Sequence, residues 1–229
     1  MSVIAALIST HNGVTASDGR RFGSIDYVNG IPSEPFEVES DDFDKTFSLA
    51  GGKVIGAFCG LLEFGERTIA EHMQEITRDS FGSGMAFMEI VELVERELTD
   101  RLNQLDDRKV TRLSRKVNLL LVGRAHLTQG KMRIAGIRFC AKSDGVTPAR
   151  DVVSATRANQ CYPIVYGEDL ARKAAVRTFD DNRVRGRHVA FLTRLVRDAI
   201  DAGIRDCGTK EPGGFRACGG RVFTARTRY

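Results

Sequence analysis

The sequence has no apolar stretch approaching the roughly 20 residues that a membrane-spanning helix needs. Its first apolar run, Val3-Ile4-Ala5-Ala6-Leu7-Ile8, is short and has no basic region before it. No signal peptide is expected, and the run reads as a buried strand. Cysteine is sparse and odd in number: Cys59, Cys140, Cys161, Cys207 and Cys218 lie scattered, with no CxxC pair. A disulfide framework or zinc site is not expected, and a reduced cytoplasm fits. Four histidines, His11, His72, His126 and His188, show no HxxxH or HExxH spacing, so no metal and no cofactor are expected. Nor is there an RNP-like aromatic and basic pattern or a helix-turn-helix signal. The formal charge of +4 is all that speaks for nucleic-acid binding, and solvated helix faces account for the arginines. Cys59 and Cys140 sit in apolar strand patterns and are expected to be core thiols.

What is present is a globular composition. At 229 residues, with 42% hydrophobic and 28% charged residues, the chain can bury a large core, and one domain over residues 1–229 is expected. Ser2–Ser9 and Gly13–Ser17 read as strands joined through Asn12-Gly13, a hairpin signal. The first strand is apolar on both sides, which implies cover on both faces. Residues 19–44 form a long irregular stretch ending in an acidic run, Glu34, Glu37, Glu39, Asp41, Asp42 and Asp44, read as a solvated loop with a cleft rim as the alternative.

Lys45–Ala50 and Lys53–Phe58 form a second hairpin across Gly51-Gly52. A helix is predicted from about Leu61 to Arg78, and a stronger one from about Met85 to Leu105, with Phe87, Ile90, Val91, Val94, Leu98, Leu102 and Leu105 on one stripe. Strands are expected at Val117–Val122 and Met132–Phe139 with a turn at Gln129-Gly130. A looser β region covers Asp151–Thr156 and Tyr162–Tyr166. Helices follow over about 167–178 and 188–202, then a last strand, Arg221–Ala225. Strand runs and helix runs are segregated, which argues α+β rather than alternating α/β. Two antiparallel sheets packed face to face, each covered by a helix pair, would bury the first strand on both sides: a four-layer αββα sandwich.

The opening residues also carry candidate chemistry. Removal of Met1 would make Ser2 the N-terminus, with a nucleophile and a base on one residue. Asp18 lies sixteen residues further on, in Ala16-Ser17-Asp18-Gly19-Arg20. This segment, the strand pair Lys45-Thr46-Phe47-Ser48-Leu49 and Lys53-Val54-Ile55-Gly56-Ala57-Phe58-Cys59-Gly60, and the split Arg205-Asp206 and Gly219-Gly220 resemble the proteasome β-subunit family of N-terminal nucleophile hydrolases, including the peptidase of the bacterial two-component ATP-dependent protease. The joint order of these short motifs, over nearly the whole chain, carries the resemblance.

The resemblance implies a peptidase or amide hydrolase with Ser2 as nucleophile and its α-amine as base. Lys45 would stand beside Ser2, held by Asp18. Gly60 would give a backbone N–H to the oxyanion, and Asp206 would support the amine. It further implies a homo-oligomeric ring acting on peptides or proteins, fed by an ATPase unfoldase, with no membrane partner. Departures are plain: serine stands where the proteasome has threonine, the segment before Lys45 is longer, and Tyr166-Gly167 occupies the place of a family serine. Residues 208–218 are additional. A non-catalytic assembly subunit and a small-amide hydrolase are the alternatives. Lys53 is the competing lysine.

Overall fold

The first hairpin forms around a four-residue reversal. A computed structural model of the chain describes residues 2–22, 27–28, 31–32, 38–78, 85–105, 115–126, 129–142, 145–158, 160–181, 188–207 and 218–227. Strand β1 (Val3–Ile8) pairs antiparallel with β2 (Gly13–Asp18), and the Ser9 N–H donates to the Asn12 carbonyl across the turn. Gly13 is the first residue of β2, where the sequence reading starts that strand. A Cβ there would lie 2.3 Å from Cγ1 of Val122, so this glycine serves close packing.

Three short strands, β3 (Arg21–Phe22), β4 (Tyr27–Val28) and β5 (Ile31–Pro32), precede β6 (Val38–Ser40), which pairs with β3. The strands β7 (Thr46–Leu49) and β8 (Val54–Gly60) form the second hairpin around Gly51-Gly52, as read from the sequence. The segment expected to begin a helix at Leu61 does not. It forms a small hairpin, β9 (Glu63–Phe64) with β10 (Arg67–Thr68), around Gly65 and Glu66. Both turn residues have positive φ, 57° and 64°, the conformation of a tight two-residue hairpin turn.

Helix α1 (Ile69–Thr77) then starts at a full capping box. The Thr68 hydroxyl accepts from the Glu71 N–H, and the Glu71 carboxylate accepts from the Thr68 N–H, so two otherwise orphaned donors are satisfied. Helix α2 (Phe87–Asn103) buries the expected stripe as far as Leu102, while Leu105 lies beyond the helix end and is half-buried. Strands β11 (Val117–His126), β12 (Gln129–Lys142), β13 (Gly145–Ser154) and β14 (Tyr162–Gly167) follow. Gln129 and Gly130, predicted as a turn, instead belong to β12. Helices α3 (Asp169–Asp181) and α4 (Val189–Asp206) and strand β15 (Val222–Arg226) complete the order.

The result is a mixed α+β fold with two large antiparallel sheets, ordered β14-β1-β2-β15 and β13-β12-β11-β8-β7. Period-two alternation of β1 assigns its residues to two cores. Val3, Ala5 and Leu7 pack with Ala171, Ala175, Phe179 and Leu192 of α3 and α4. Ile4, Ala6 and Ile8 pack with Ile55, Ala57, Leu120 and Ile134 of the other sheet. A third cluster joins α1 and α2 to the far side of the five-stranded sheet through Phe58, Leu119, Ile90 and Val94. Cys59 is buried as expected, but Cys140 is exposed. Its neighbour Phe139 takes the helix-covered face, so Cys140 is turned to the opposite one, exposed as Arg138 is. Among the described residues no helix is long and apolar enough to cross a membrane.

Candidate functional site

The β1–β2 hairpin places the start of β1 beside the end of β2. With Ile4 opposite Ser17, Asp18 arrives next to Val3, whose N–H donates to Asp18 Oδ1 at 3.0 Å. Lys45 stands immediately before β7 on the facing sheet. Its side chain is completely buried, as is that of Asp18, and Ser2 is 4% exposed. The Lys45 Nζ donates to Ser2 Oγ at 2.7 Å, to Asp18 Oδ1 at 3.1 Å and to the Arg20 carbonyl at 2.6 Å. Three acceptors match the three protons of an ammonium group. A charge this deeply buried is tolerated only when paired and hydrogen-bonded, and both conditions are met.

Asp18 is bonded through both of its oxygens. Its Oδ2 accepts from the Gly219 N–H at 3.2 Å, so one carboxylate ties together β1, Lys45 and the turn before β15. The Gly19 N–H donates to the Gly219 carbonyl, and the Arg221 N–H to the Asp41 carbonyl. Arg20 lies against Gly219, where a Cβ would sit 2.4 Å from the guanidinium carbon. Asp41 pairs with Arg20 through two bonds of 2.7 and 2.9 Å, and that bonding holds its carboxyl below the usual range. The acidic run is thus anchored: Glu39 pairs with Arg21, Asp41 with Arg20 and Asp42 with Arg221. Glu34 and Glu37 lie outside the described residues.

Two glycines line the start of β1 and the end of β8. Gly60 has φ of +102°, and a Cβ would meet the Lys116 carbonyl at 2.0 Å. The Phe58 N–H donates to the Lys45 carbonyl and the Leu61 N–H to Lys116 on β11's side. Alternation therefore turns the Gly60 N–H toward the Lys45 side of the strand. Gly167 has φ of +138°, and a Cβ there would lie 2.1 Å from the Ser2 carbonyl, which accepts from the Glu168 N–H at 3.0 Å. Cys59 belongs to the inter-sheet core and accepts from the Asn118 amide. Burial pushes its thiol up to about 11, which disfavours a thiolate nucleophile at neutral pH.

Of the sequence-predicted residues, Ser2, Asp18 and Lys45 form one bonded set, and Gly60 ends β8, the strand paired with β7, which Lys45 precedes. Asp206 does not join the bonds described: its carboxylate takes Arg177 at 2.9 Å and is 48% exposed, at the end of α4. Lys53 lies at the β7–β8 turn, the opposite end of β7 from Lys45. Tyr166 faces the inter-sheet core, and its hydroxyl donates to Asp151. Burial, then that carboxylate, push its pKa up. Sequence reasoning missed the Arg20 carbonyl, the Gly219 N–H and the Glu168 N–H. All three are backbone groups, for which only the glycines at 167 and 219 gave a signal.

Among the described residues no cluster of three His, Cys, Asp or Glu side chains is disposed to hold a metal ion. No protein-family model matches the chain, and no curated protein matches it either.

Proposed function

We propose that this chain is an amide hydrolase of the N-terminal nucleophile type, resembling proteasome β subunits, built as a four-layer αββα sandwich. The three core clusters support that architecture. The observation that carries the chemistry is the Lys45 ammonium, buried and 2.7 Å from Ser2 Oγ, with Asp18 behind it. Cleavage of the Met1–Ser2 bond frees an α-amine whose ordinary pKa is about 8. Ser2 Oγ attacks the amide carbonyl while its proton passes to that amine, directly or through one water. The positive charge of Lys45 lowers the cost of the alkoxide and keeps the amine deprotonated. The Gly60 N–H receives the oxyanion. The amine then gives its proton to the leaving nitrogen, and water hydrolyses the ester left on Ser2.

Substrates are peptides or proteins, and the family resemblance further suggests a homo-oligomeric ring in the cytoplasm served by an ATPase. Tyr166, in the place of a supporting serine and bonded to Asp151, favours a second reading, a ring-forming subunit without activity. Intact mass of the purified protein, with and without an epoxyketone-type probe, separates the two. The hydrolase reading expects loss of Met1, one probe adduct on Ser2, and no peptide hydrolysis by Ser2→Ala. A retained Met1, or Ser2→Ala at full activity, overturns it. Native mass spectrometry giving a monomer overturns the ring.

A further inference from the structure

Behind the candidate site lies a cysteine pair that the proposed chemistry does not use. Cys207 caps α4, and Cys218 precedes Gly219, the residue that donates to Asp18. The thiols are 2% and 1% exposed within the core beneath α3 and α4. The Cys218 N–H donates to Cys207 Sγ at 3.1 Å. That contact makes the two residues direct neighbours in space, the first requirement of a disulfide. The two sulfurs are not equivalent. Cys207 Sγ accepts the Cys218 backbone N–H and lies within the field of the Arg20 guanidinium, so a donor and a cation sit beside this sulfur. The Cys218 thiol is pushed up by its contact with Cys207 and then by burial, so it stays protonated.

We propose that Cys207 and Cys218 are a redox pair, in which Cys207 reacts with a peroxide and Cys218 resolves it into an intramolecular disulfide. The Cys207 thiolate attacks one peroxide oxygen. The O–O bond breaks, a sulfenic acid forms, and the departing hydroxide takes up a proton as water. The Cys218 sulfur then attacks the sulfenic sulfur, its own proton leaving with the expelled hydroxide as a second water. Two thiols are oxidised, and one peroxide is reduced. The new bond ties the end of α4 to the residue before Gly219 and so fixes the turn whose N–H holds Asp18. This pairing is independent of the hydrolase reading, since its readout needs no turnover.

The test is hydrogen peroxide treatment of the full chain, followed by alkylation under denaturing conditions and tryptic mapping. The expected product is a dithiothreitol-sensitive link between peptides 206–210 and 217–221. Closing this loop should raise the melting temperature by roughly 5–10 °C. In Cys218→Ser, dimedone should trap the sulfenic acid on Cys207. The exposed Cys140 is the internal reference. Its oxidation while Cys207 and Cys218 remain fully alkylable overturns the proposal, as does dimedone labelling of Cys218 in Cys207→Ser. Mapping the unsubstituted chain needs no variant, so a variant that fails to fold does not blunt the test.

Discussion

Lys45→Met is the most informative single change. It keeps the length of the side chain and removes its charge. The Asp18 carboxylate then stays fully buried with only the Val3 and Gly219 N–H groups as donors. Removing one partner of a buried ion pair costs about 3–5 kcal/mol, because the remaining charge is uncompensated. For a chain of this size that corresponds to a melting temperature lower by roughly 6–20 °C. Guanidinium unfolding of Lys45→Met, Asp18→Asn and the double variant closes a cycle. The double variant should recover part of the loss, with a coupling of at least about 2 kcal/mol. The exposed Arg177–Asp206 pair, with side chains 67% and 48% exposed, supplies the contrast. Its coupling should stay below about 1 kcal/mol. Additive losses at Lys45 and Asp18, or a Lys45→Met cost as small as that of the surface pair, would refute the buried network.

Gly60→Ala should destabilise the fold by about 1–3 kcal/mol through its positive φ and the clash with Lys116, and lower peptide hydrolysis further than stability alone explains; unchanged kcat in folded protein overturns the role of this turn. Gly167→Ala should shift the start of β1, read as loss of probe labelling at Ser2, with Gly130→Ala as a positive-φ control far from the site. Asp206→Ala should leave hydrolysis within twofold of the parent, and a large loss would restore Asp206 to the site. His72 sits neutral between the Phe64 carbonyl and Arg101, its pKa lowered below 6.5 by burial. The unfolded chain therefore binds a proton first as pH falls, and stability should decline below about pH 6.5. Chemical denaturation across pH 7 to 5 should show a shallower decline in His72→Gln.

The parts of the site that were legible in the sequence are those fixed by strand register. A hairpin over residues 3–18 forces Asp18 back to the start of β1, whatever its neighbours do. Lys45 could be preferred to Lys53 because it starts a predicted strand just after the long loop, as the lysine of the resembled family does. Asp206 was not legible in this way. Its place depends on where α4 ends, and α4 runs to Asp206 itself, carrying the carboxylate to Arg177. The hairpin at 63–68 was hidden by an apolar pattern that suits a helix as well as a strand. Its turn signal was Gly65, followed by a non-glycine residue at positive φ. Cys140 was misread because apolar neighbours do not say which face of a strand the opposite sheet covers.

The bonds of Asp18 span very different lengths of chain, 15 residues to Val3, 27 to Lys45 and 201 to Gly219. A ribosome therefore delivers Ser2, Asp18 and Lys45 long before Gly219. Contacts of such long range are slow to form and come late in folding. Until β15 docks, the second oxygen of Asp18 lacks its Gly219 donor, and the lysine that depends on Asp18 is less firmly held. The nascent chain thus completes the bonding of Asp18 only near the end of its synthesis, and the buried Lys45–Asp18 pair receives its last donor from the final turn of the chain.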